Sequence, residues 1–251
     1  MHRFYLPPEQ CGGSVLCLAD REAHHALHVV RVQRGERVTV LDGAGNRFLC
    51  EVQALERNSV RLAVIEKQVA TPRPCAVTLL QAVPKGKMFE DIVDQATQLG
   101  AARIVPILSE RVTIRLEPGD AARKVEKWRQ VAIETIKQCG SPWLPQLDAP
   151  LSLANFLERR ETFDLMLAGS LQTARRHPRE WLHEFRARHG RPPKTVAVWI
   201  GPEGDFTLTE MEAIERAGAK PITLGPLVLR AETAAVYCLS FLNYELQPAS
   251  E

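Results

Sequence analysis

Two glycine turns carry the side chains whose types and spacing could do chemistry. The first, Ile200-Gly-Pro-Glu-Gly-Asp-Phe-Thr207, contains Glu203, and the second, Leu224-Gly-Pro-Leu-Val-Leu-Arg-Ala-Glu-Thr-Ala234, contains Arg230 and Glu232. Glycine lets a ligand approach the main chain closely, and free amides in a turn or at a helix start can bind the edge of a base or a carboxylate. Both turns could also be plain connections, since an acidic residue in a first helical turn favours the helix dipole. Taken alone, neither turn decides between a ligand loop and a simple connection.

Other patterns in the chain exclude several kinds of site. The turns match neither G-x-G-x-x-G nor G-x-x-x-x-G-K-[ST], so dinucleotide-binding and P-loop interpretations lose their specific support. His24 and His28 share a predicted helix face with no acidic or cysteine ligand in register, so no metal site is predicted. The six cysteines form no C-x-x-C pair, which favours reduced, mostly buried thiols.

Length and charge set the broad class. The 251 residues suffice for one large domain or two modest ones, and 45% are hydrophobic. The net charge of +2 means that any basic surface must be local. Because the N-terminus lacks a signal-peptide pattern and no stretch approaches about 20 apolar residues, we predict a soluble, cytoplasmic protein.

The first part of the chain has the pattern of a small β-barrel domain. Alternation predicts strands, an Asp-Gly-Ala-Gly-Asn turn separates the first two, and a short helix with Asp20 as its cap is predicted over 20–30. The predicted strands are 37–41, 47–52 and 60–65. Two prolines in Ala70-Thr-Pro-Arg-Pro74 mark the boundary, so we predict domains at 1–72 and 73–251.

From Cys75 onward, short apolar runs alternate with amphipathic stretches, which predicts an α/β domain with a mostly parallel sheet. Thr207 and Glu210 are in capping-box register, as are Thr209 and Glu212, so a helix begins after Phe206. The first glycine turn then follows a strand at the sheet edge where such proteins bind ligands. The predicted strands are 76–83, 104–108, 163–168, 195–200 and 222–224. The predicted helices are 88–99, 121–138, 178–188, 208–217 and 231–246.

The two turns, in this order, resemble the signature of the small-subunit ribosomal RNA uridine-N3-methyltransferases, the RsmE family of the SPOUT superfamily. Further matches, spread over nearly the whole chain, are Arg3-Phe4, His28-Val-Val-Arg31, Pro84-Lys-Gly-Lys-Met88, Leu99-Gly100 and Ile104-Val-Pro106 with Arg111. The resemblance implies a PUA-like RNA-binding barrel in 1–72, a SPOUT methyltransferase domain with a trefoil knot in 73–251, and a homodimer. It also implies S-adenosyl-L-methionine as cofactor, held by three loops at strand ends. The implied cofactor-binding residues are Ala168, Gly169, Leu171, Ile200, Gly201, Pro202, Glu203, Gly204, Leu224, Gly225, Leu227, Leu229, Arg230, Thr233 and Ala234.

The resemblance also suggests catalytic and RNA-binding roles. Arg230 is the candidate for stabilising charge on uracil oxygens, and Glu232 or Glu203 for accepting the N3 proton, with a structural role open for both acids. Small-subunit ribosomal RNA, within a ribosomal subunit, is the expected partner. Candidate RNA contacts are Arg3, Arg31, Lys85, Lys87 and Arg111, together with Arg34, Arg37 and Arg115.

Two positions depart from the family pattern. Asp205 stands where the family usually has a second glycine, and we expect the cofactor loop to tolerate it if its side chain points to solvent. Lys137-Gln-Cys-Gly-Ser141 replaces a pattern that ends in arginine, which removes a candidate for RNA or interface contact.

Two other classes stay open. One is a non-catalytic RNA-binding protein with a decayed methyltransferase domain. The other is a different nucleotide-binding α/β enzyme, such as an oxidoreductase, although the missing phosphate fingerprint argues against it.

Overall fold

Two β-sheets organise the part of the chain that the structure describes. The computed structural model describes residues 1–84, 86, 88–111, 119–172 and 175–246. One compact unit comprises Met1–Pro72 and Ile133–Leu144, and the other comprises Arg73–Ala132 and Pro145–Glu251. The predicted domain limits, 1–72 and 73–251, stay a prediction.

The first unit contains a five-stranded sheet with the order β1-β3-β4-β5-β2. Strand β1 pairs with β3 in parallel, and the other neighbours are antiparallel. Alternate residues of β3 and β4, such as Val38, Val40 and Phe48, are buried in its core. The strands are β1 (Arg3–Tyr5), β2 (Val15–Leu18), β3 (Arg37–Leu41), β4 (Asn46–Leu55) and β5 (Val60–Val69).

The helix predicted over 20–30 has two parts. Helix α1 (Asp20–His24) continues into a π-helical turn (His25–Val30), which ends at Arg31 with φ 58°. The predicted cap is wrong, because Ala19 occupies the N-cap position and no side chain caps this helix. Apolar spacing could not reveal the π-helical turn. A π-helix and an α-helix have similar spacings of apolar residues over a segment as short as six residues, so the sequence pattern of the two is the same here.

The Ile133–Leu144 segment completes the core of this first unit. Ile133 and Ile136 pack with Tyr5, and the Gly45 amide donates to the Pro142 carbonyl at 2.9 Å. Gly45 has φ 99°, and a Cβ there would lie 2.4 Å from the Trp143 ring. This turn therefore requires glycine against the indole.

The second unit contains a parallel sheet, which confirms the predicted mixed α/β class. Its order is β12-β10-β11-β6-β7-β8, with β9 also paired to β7. Its strands are β6 (Ala76–Ala82), β7 (Arg103–Leu108), β8 (Gln146–Leu147), β9 (Leu151–Ser152), β10 (Leu165–Gly169), β11 (Thr195–Ile200) and β12 (Lys220–Ile222). Its helices are α2 (Met88–Gln98), α3 (Asp120–Cys139), which ends in the first unit, α4 (Leu153–Glu158), α5 (Pro178–His189), α6 (Leu208–Arg216) and α7 (Ala231–Leu246).

The order of three parallel strands brings the loops that follow them to one edge of the sheet. Strand β10 lies between β11 and β12, and all three run in parallel. Their carboxyl ends therefore meet at one edge of the sheet. Trp199 of β11 is 1% exposed and contacts the rings of Phe156 and Phe206 edge-on, so the chain is buried again directly after the first glycine turn.

An ion-pair network lies at the amino end of β7, where Arg103 is the first residue. The Arg103 guanidinium donates to both carboxylate oxygens of Asp148, the Nε bond measuring 2.9 Å, and also to Glu161. The side chains of Arg103, Asp148 and Glu161 are 18%, 8% and 24% exposed. Arg159, which is 44% exposed, also contacts both carboxylates, at 3.2 Å from Asp148 and 3.6 Å from Glu161.

The six thiols differ in exposure, and this predicts their reactivity. None of the six forms a disulfide; Cys17 and Cys139 are exposed and the other four are buried. Burial raises the pKa of Cys11 to about 11 and those of Cys50, Cys75 and Cys238 to about 12. Because the thiolate is the nucleophile, we expect two thiols to react rapidly with an aromatic disulfide reagent at pH 8 and four to react after unfolding. Absorbance kinetics with and without urea measure this, and a third fast thiol would contradict it.

None of the helices among residues 1–84, 88–111, 119–172 and 175–246 is long and apolar enough to cross a membrane.

Candidate active site

Three loops at the carboxyl ends of β10, β11 and β12 enclose one cavity of about 260 Å³. The first follows Gly169, the second follows Ile200 and the third extends from Leu224 into α7. The lining residues are Gly169, Ser170, Leu171, Arg175, Ile200, Gly201, Pro202, Glu203, Gly204, Asp205, Leu224, Gly225, Leu227, Val228, Leu229, Arg230, Ala231 and Ala234. Both glycine turns thus contribute to one site.

The capping box predicted after the first turn is present. The Thr207 hydroxyl accepts the Glu210 amide at 3.2 Å, and the Glu210 carboxylate accepts the Thr207 amide at 2.9 Å. Glu210 is 5% exposed and also accepts the Glu110 amide at 2.8 Å. Glu210, whose side chain takes part in the cap of α6, therefore also holds the loop after β7.

Replacing Thr207 by alanine tests this cap. Loss of an N-cap hydroxyl costs about 1 kcal/mol, so T207A should lower the free energy of unfolding by about that amount in urea titrations. The matched control is T209A, because Thr209 also begins a capping-box pattern but lies inside α6. An equal loss in T207A and T209A would contradict this assignment.

The Asp205 side chain bonds to the main chain and does not point to solvent, so the condition set for the cofactor loop is not met. Its carboxylate accepts the Leu171 amide through Oδ2 and the Phe206 amide through Oδ1, both at 2.8 Å. Its φ of 69° lies in the left-handed region, which favours glycine and which aspartate tolerates. Arg111 donates from the other side to the carbonyl oxygens of Gly204 and Asp205.

The second turn presents apolar surface and a cation. Gly225 has φ 107°, and a Cβ at this position would meet none of the described atoms within 4 Å. Its amide donates to the Thr223 hydroxyl at 3.3 Å. Leu227 and Val228 are 75% and 76% exposed at the cavity. Arg230 is exposed at the start of α7, and its carbonyl accepts the Ala234 amide at 2.8 Å.

The structure brings most of the predicted cofactor residues together. Ala168 and Thr233 do not line the cavity; Ala168 is buried in β10 and Thr233 is exposed on α7. Of the two candidate acids, Glu203 lines the cavity and Glu232 does not. Five further residues line the cavity although they are not among the implied cofactor-binding residues: Ser170, Arg175, Asp205, Val228 and Ala231.

Adjacency in the chain could have found four of these five residues. Ser170, Asp205, Val228 and Ala231 lie within the loops that the sequence singled out. Arg175 gave no such signal. It donates to the Ser170 carbonyl at 3.0 Å, and this contact brings a second cation to the cavity wall.

The predicted RNA contacts are scattered. Arg31 is exposed, whereas Arg3 donates at 2.9 Å to the Gln138 carbonyl and at 3.1 Å to that of Lys137. Lys85, Lys87 and Arg115 lie outside the described residues, and Arg34 and Arg37 are exposed. Arg111 supports the first glycine turn, so a contact with RNA would compete with that role.

Lys137, the departure noted in the long helix, has a structural role in the first unit. It is 6% exposed, and its ammonium lies 2.8 Å from Glu22 and 3.1 Å from Glu134. Glu22 also accepts the Tyr5 amide at 3.1 Å, which ties this end of α3 to β1.

The cavity combines backbone amides and carbonyls, apolar walls and few charges. Such a site suits a ligand with a flat ring and polar edges better than a polyphosphate, which would need clustered cations or a phosphate-binding loop. Among the residues that the structure describes, no group of three or more His, Cys, Asp or Glu side chains is placed to bind a metal ion.

Two family models match this chain. Residues 18–65 match the family model described as an RNA methyltransferase PUA domain, and residues 71–243 match the one described as an RNA methyltransferase domain. The ribosomal RNA small subunit methyltransferase E of Synechocystis sp. is 30% identical over 98% of this chain and 78% of its own length.

Two solved structures share the fold over almost the whole chain. A methyltransferase from Legionella pneumophila, in complex with S-adenosylmethionine, is 30% identical with a TM-score of 0.86, and the match covers 97% of each chain. The ribosomal RNA small subunit methyltransferase E from Neisseria gonorrhoeae, bound to S-adenosylmethionine, is 25% identical with a TM-score of 0.84, and the match covers 98% of each chain. With the family models, these likenesses show that the chain belongs to the RNA methyltransferase family that includes the ribosomal RNA small subunit methyltransferases E.

Proposed function

We propose that this protein transfers the methyl group of S-adenosylmethionine to N3 of a specific uridine in small-subunit ribosomal RNA. Family membership supports methyl transfer to ribosomal RNA with this cofactor. The choice of uridine N3 rests on the resemblance of the two glycine turns. The observation that carries the proposal is the cavity in which both turns and the loop after β10 meet.

The cavity walls fit this cofactor. Gly204 and Gly225 leave room where a side chain would stand, and Leu227 and Val228 offer exposed apolar surface to an adenine ring. Free amides of the turns can bind its polar edge. When bound, S-adenosylmethionine supplies an electrophilic methyl group, so the protein's own tasks are to orient the acceptor and to favour loss of its proton.

Arg230 is proposed as the electrostatic element of catalysis. A cation beside uracil O2 or O4 favours the uracil anion that has lost the N3 proton. This electrostatic stabilisation becomes stronger where water is excluded. Glu203 lines the same cavity, so it is better placed than Glu232 to accept that proton.

The trefoil knot and the homodimer are also part of the proposal. From β12, at the edge of the sheet, the chain returns so that α7 packs against the more central β6 and β11, a path compatible with threading. On α7, Tyr237 and Tyr244 are 43% and 82% exposed and lie seven residues apart on one face, which supports a partner subunit there.

RNA recognition is assigned to the first unit. The match of residues 18–65 to an RNA methyltransferase PUA domain and the exposed Arg31 support this. A ribosomal RNA substrate, within the assembled subunit, also supports the predicted cytoplasmic location.

Primer extension on ribosomal RNA tests the function. A methyl group on N3 blocks the Watson–Crick edge, so a stop at one uridine should vanish in cells lacking the protein. Purified protein with S-adenosylmethionine should restore it, and S-adenosylhomocysteine in its place should not. Nucleoside mass spectrometry should then identify 3-methyluridine. An unchanged stop pattern would favour the non-catalytic RNA-binding alternative.

A further inference from the structure

Asp205 joins two walls of the cavity, and we propose that it is a positioning residue that holds the cofactor loops in their binding arrangement before the cofactor arrives. This inference rests on the proposed function, since it concerns the same cavity. It assigns a specific task to the residue that departs from the family's glycine.

The first observation is the link between loops. Oδ2 of Asp205, in the loop after β11, accepts the amide of Leu171, in the loop after β10, at 2.8 Å. Oδ1 accepts the neighbouring Phe206 amide, also at 2.8 Å. Both oxygens of one carboxylate are thus occupied by main-chain donors of two different loops, so the spacing of the loops depends on this side chain.

The second observation is that residue 205 is itself fixed from two other directions. Arg111 donates to its carbonyl oxygen at 3.3 Å and also to the carbonyl of Gly204. Phe206, the next residue, is 1% exposed beside Trp199. The carboxylate therefore starts from an anchored backbone and can hold the loop that contains Leu171.

The third observation is the backbone geometry. Glycine adopts a φ of 69° without strain, so glycine at 205 would leave the turn intact but break the link to Leu171. Glycine at position 205 therefore tests the hydrogen bond to Leu171 without disturbing the backbone of the turn. Ordering a loop in advance lowers the cost of binding, so loss of the link should appear as weaker binding rather than as loss of fold.

The variant D205G provides the test, measured by calorimetry with S-adenosylmethionine and with S-adenosylhomocysteine. Loss of one hydrogen bond to a charged group predicts dissociation constants about tenfold higher. Both compounds should weaken alike, because the carboxylate acts on the loops and not on the sulfonium charge. In amide hydrogen exchange, Leu171 should exchange about tenfold faster or more, while amides of the core strands stay unchanged.

A charge-matched control is E212A, since Glu212 is 73% exposed on α6 and does not line the cavity. It removes one negative charge from the same unit, so equal weakening in E212A and D205G would overturn the inference in favour of long-range attraction. It would also be overturned if D205G bound both compounds as tightly as the wild type, weakened S-adenosylmethionine alone, or left Leu171 exchange unchanged. Failure of the wild-type protein to bind either compound would instead contradict the proposed function, and the inference with it.

Discussion

Alanine at position 230 is expected to lower kcat for methyl transfer by about 10²- to 10³-fold, the size of effect seen when a fixed electrostatic donor is removed from an active site. Arg230 lines the cavity and is exposed, and its main-chain bond with Ala234 survives the substitution. The affinity for S-adenosylmethionine should therefore change little. Single-turnover rates on ribosomal RNA and calorimetry with the cofactor separate the two quantities.

Lysine at position 230 is the matched variant. It keeps the positive charge but loses the planar, forked donor group, so R230K should recover part of the rate. If R230A transferred the methyl group at a near-normal rate while binding the cofactor normally, Arg230 would have no electrostatic role in catalysis. If R230K were as slow as R230A, the fork rather than the charge would carry the effect.

The largest expected effect on stability comes from Arg103. Its removal leaves Asp148 and Glu161, which are largely buried, with Arg159 as their remaining cationic partner, and Arg159 is 44% exposed. Breaking a buried pair costs about 3–5 kcal/mol. We therefore expect R103A to lower the free energy of unfolding by that amount in urea titrations at pH 7. The control is R191A, whose partner Asp164 lies in a more exposed pair and whose loss should cost no more than about 1 kcal/mol.

The same network predicts how stability depends on pH. Burial alone would raise the pKa of Asp148, but the hydrogen bonds and charge of Arg103, together with hydrogen bonds from Arg159 and Gln146, outweigh it and lower that pKa. The Arg103 hydrogen bond also lowers the pKa of Glu161. The stability they contribute is therefore present above the unfolded values of about 4 and is lost as the pH falls through the lower folded values. Wild-type protein should lose stability in this acidic range, and R103A should lose less of it. Parallel pH profiles of the two proteins would contradict the assignment.

Local sequence patterns were enough to predict the strands and helices whose ends are marked by turn or capping residues. The strand at 195–200 and the helix at 231–246 match β11 and α7, and the Thr207 cap was visible in the sequence because a capping box is a local pattern. The last strand, predicted at 222–224, is observed at Lys220–Ile222, since its three residues carry no periodicity. The short β1, β2, β8, β9 and α4 were not predicted for the same reason.

The site was predictable as two turns, but not as a set of contacts. Asp205 can bind the Leu171 amide only because β10 and β11 are neighbours in the sheet. The order of strands in a sheet belongs to the tertiary structure and cannot be read from local sequence. Arg175 joins the cavity through a bond to the Ser170 carbonyl that no spacing rule anticipates. Lys137 likewise gave no sequence sign of its partner Glu22, which lies 115 residues away.

The Ile133–Leu144 segment has a consequence for the order in which the chain is made. When the ribosome has released the first 72 residues, the five strands of the first sheet exist, but Ile133 and Ile136 are not yet available to Tyr5. Nor is the Leu144 amide available to the Gly43 carbonyl, which it meets at 2.9 Å. Domains usually fold in the order of their synthesis, yet this N-terminal unit can finish only after the Arg73–Ala132 part of the other unit has been made. A nascent chain therefore passes through a long interval in which neither unit is complete.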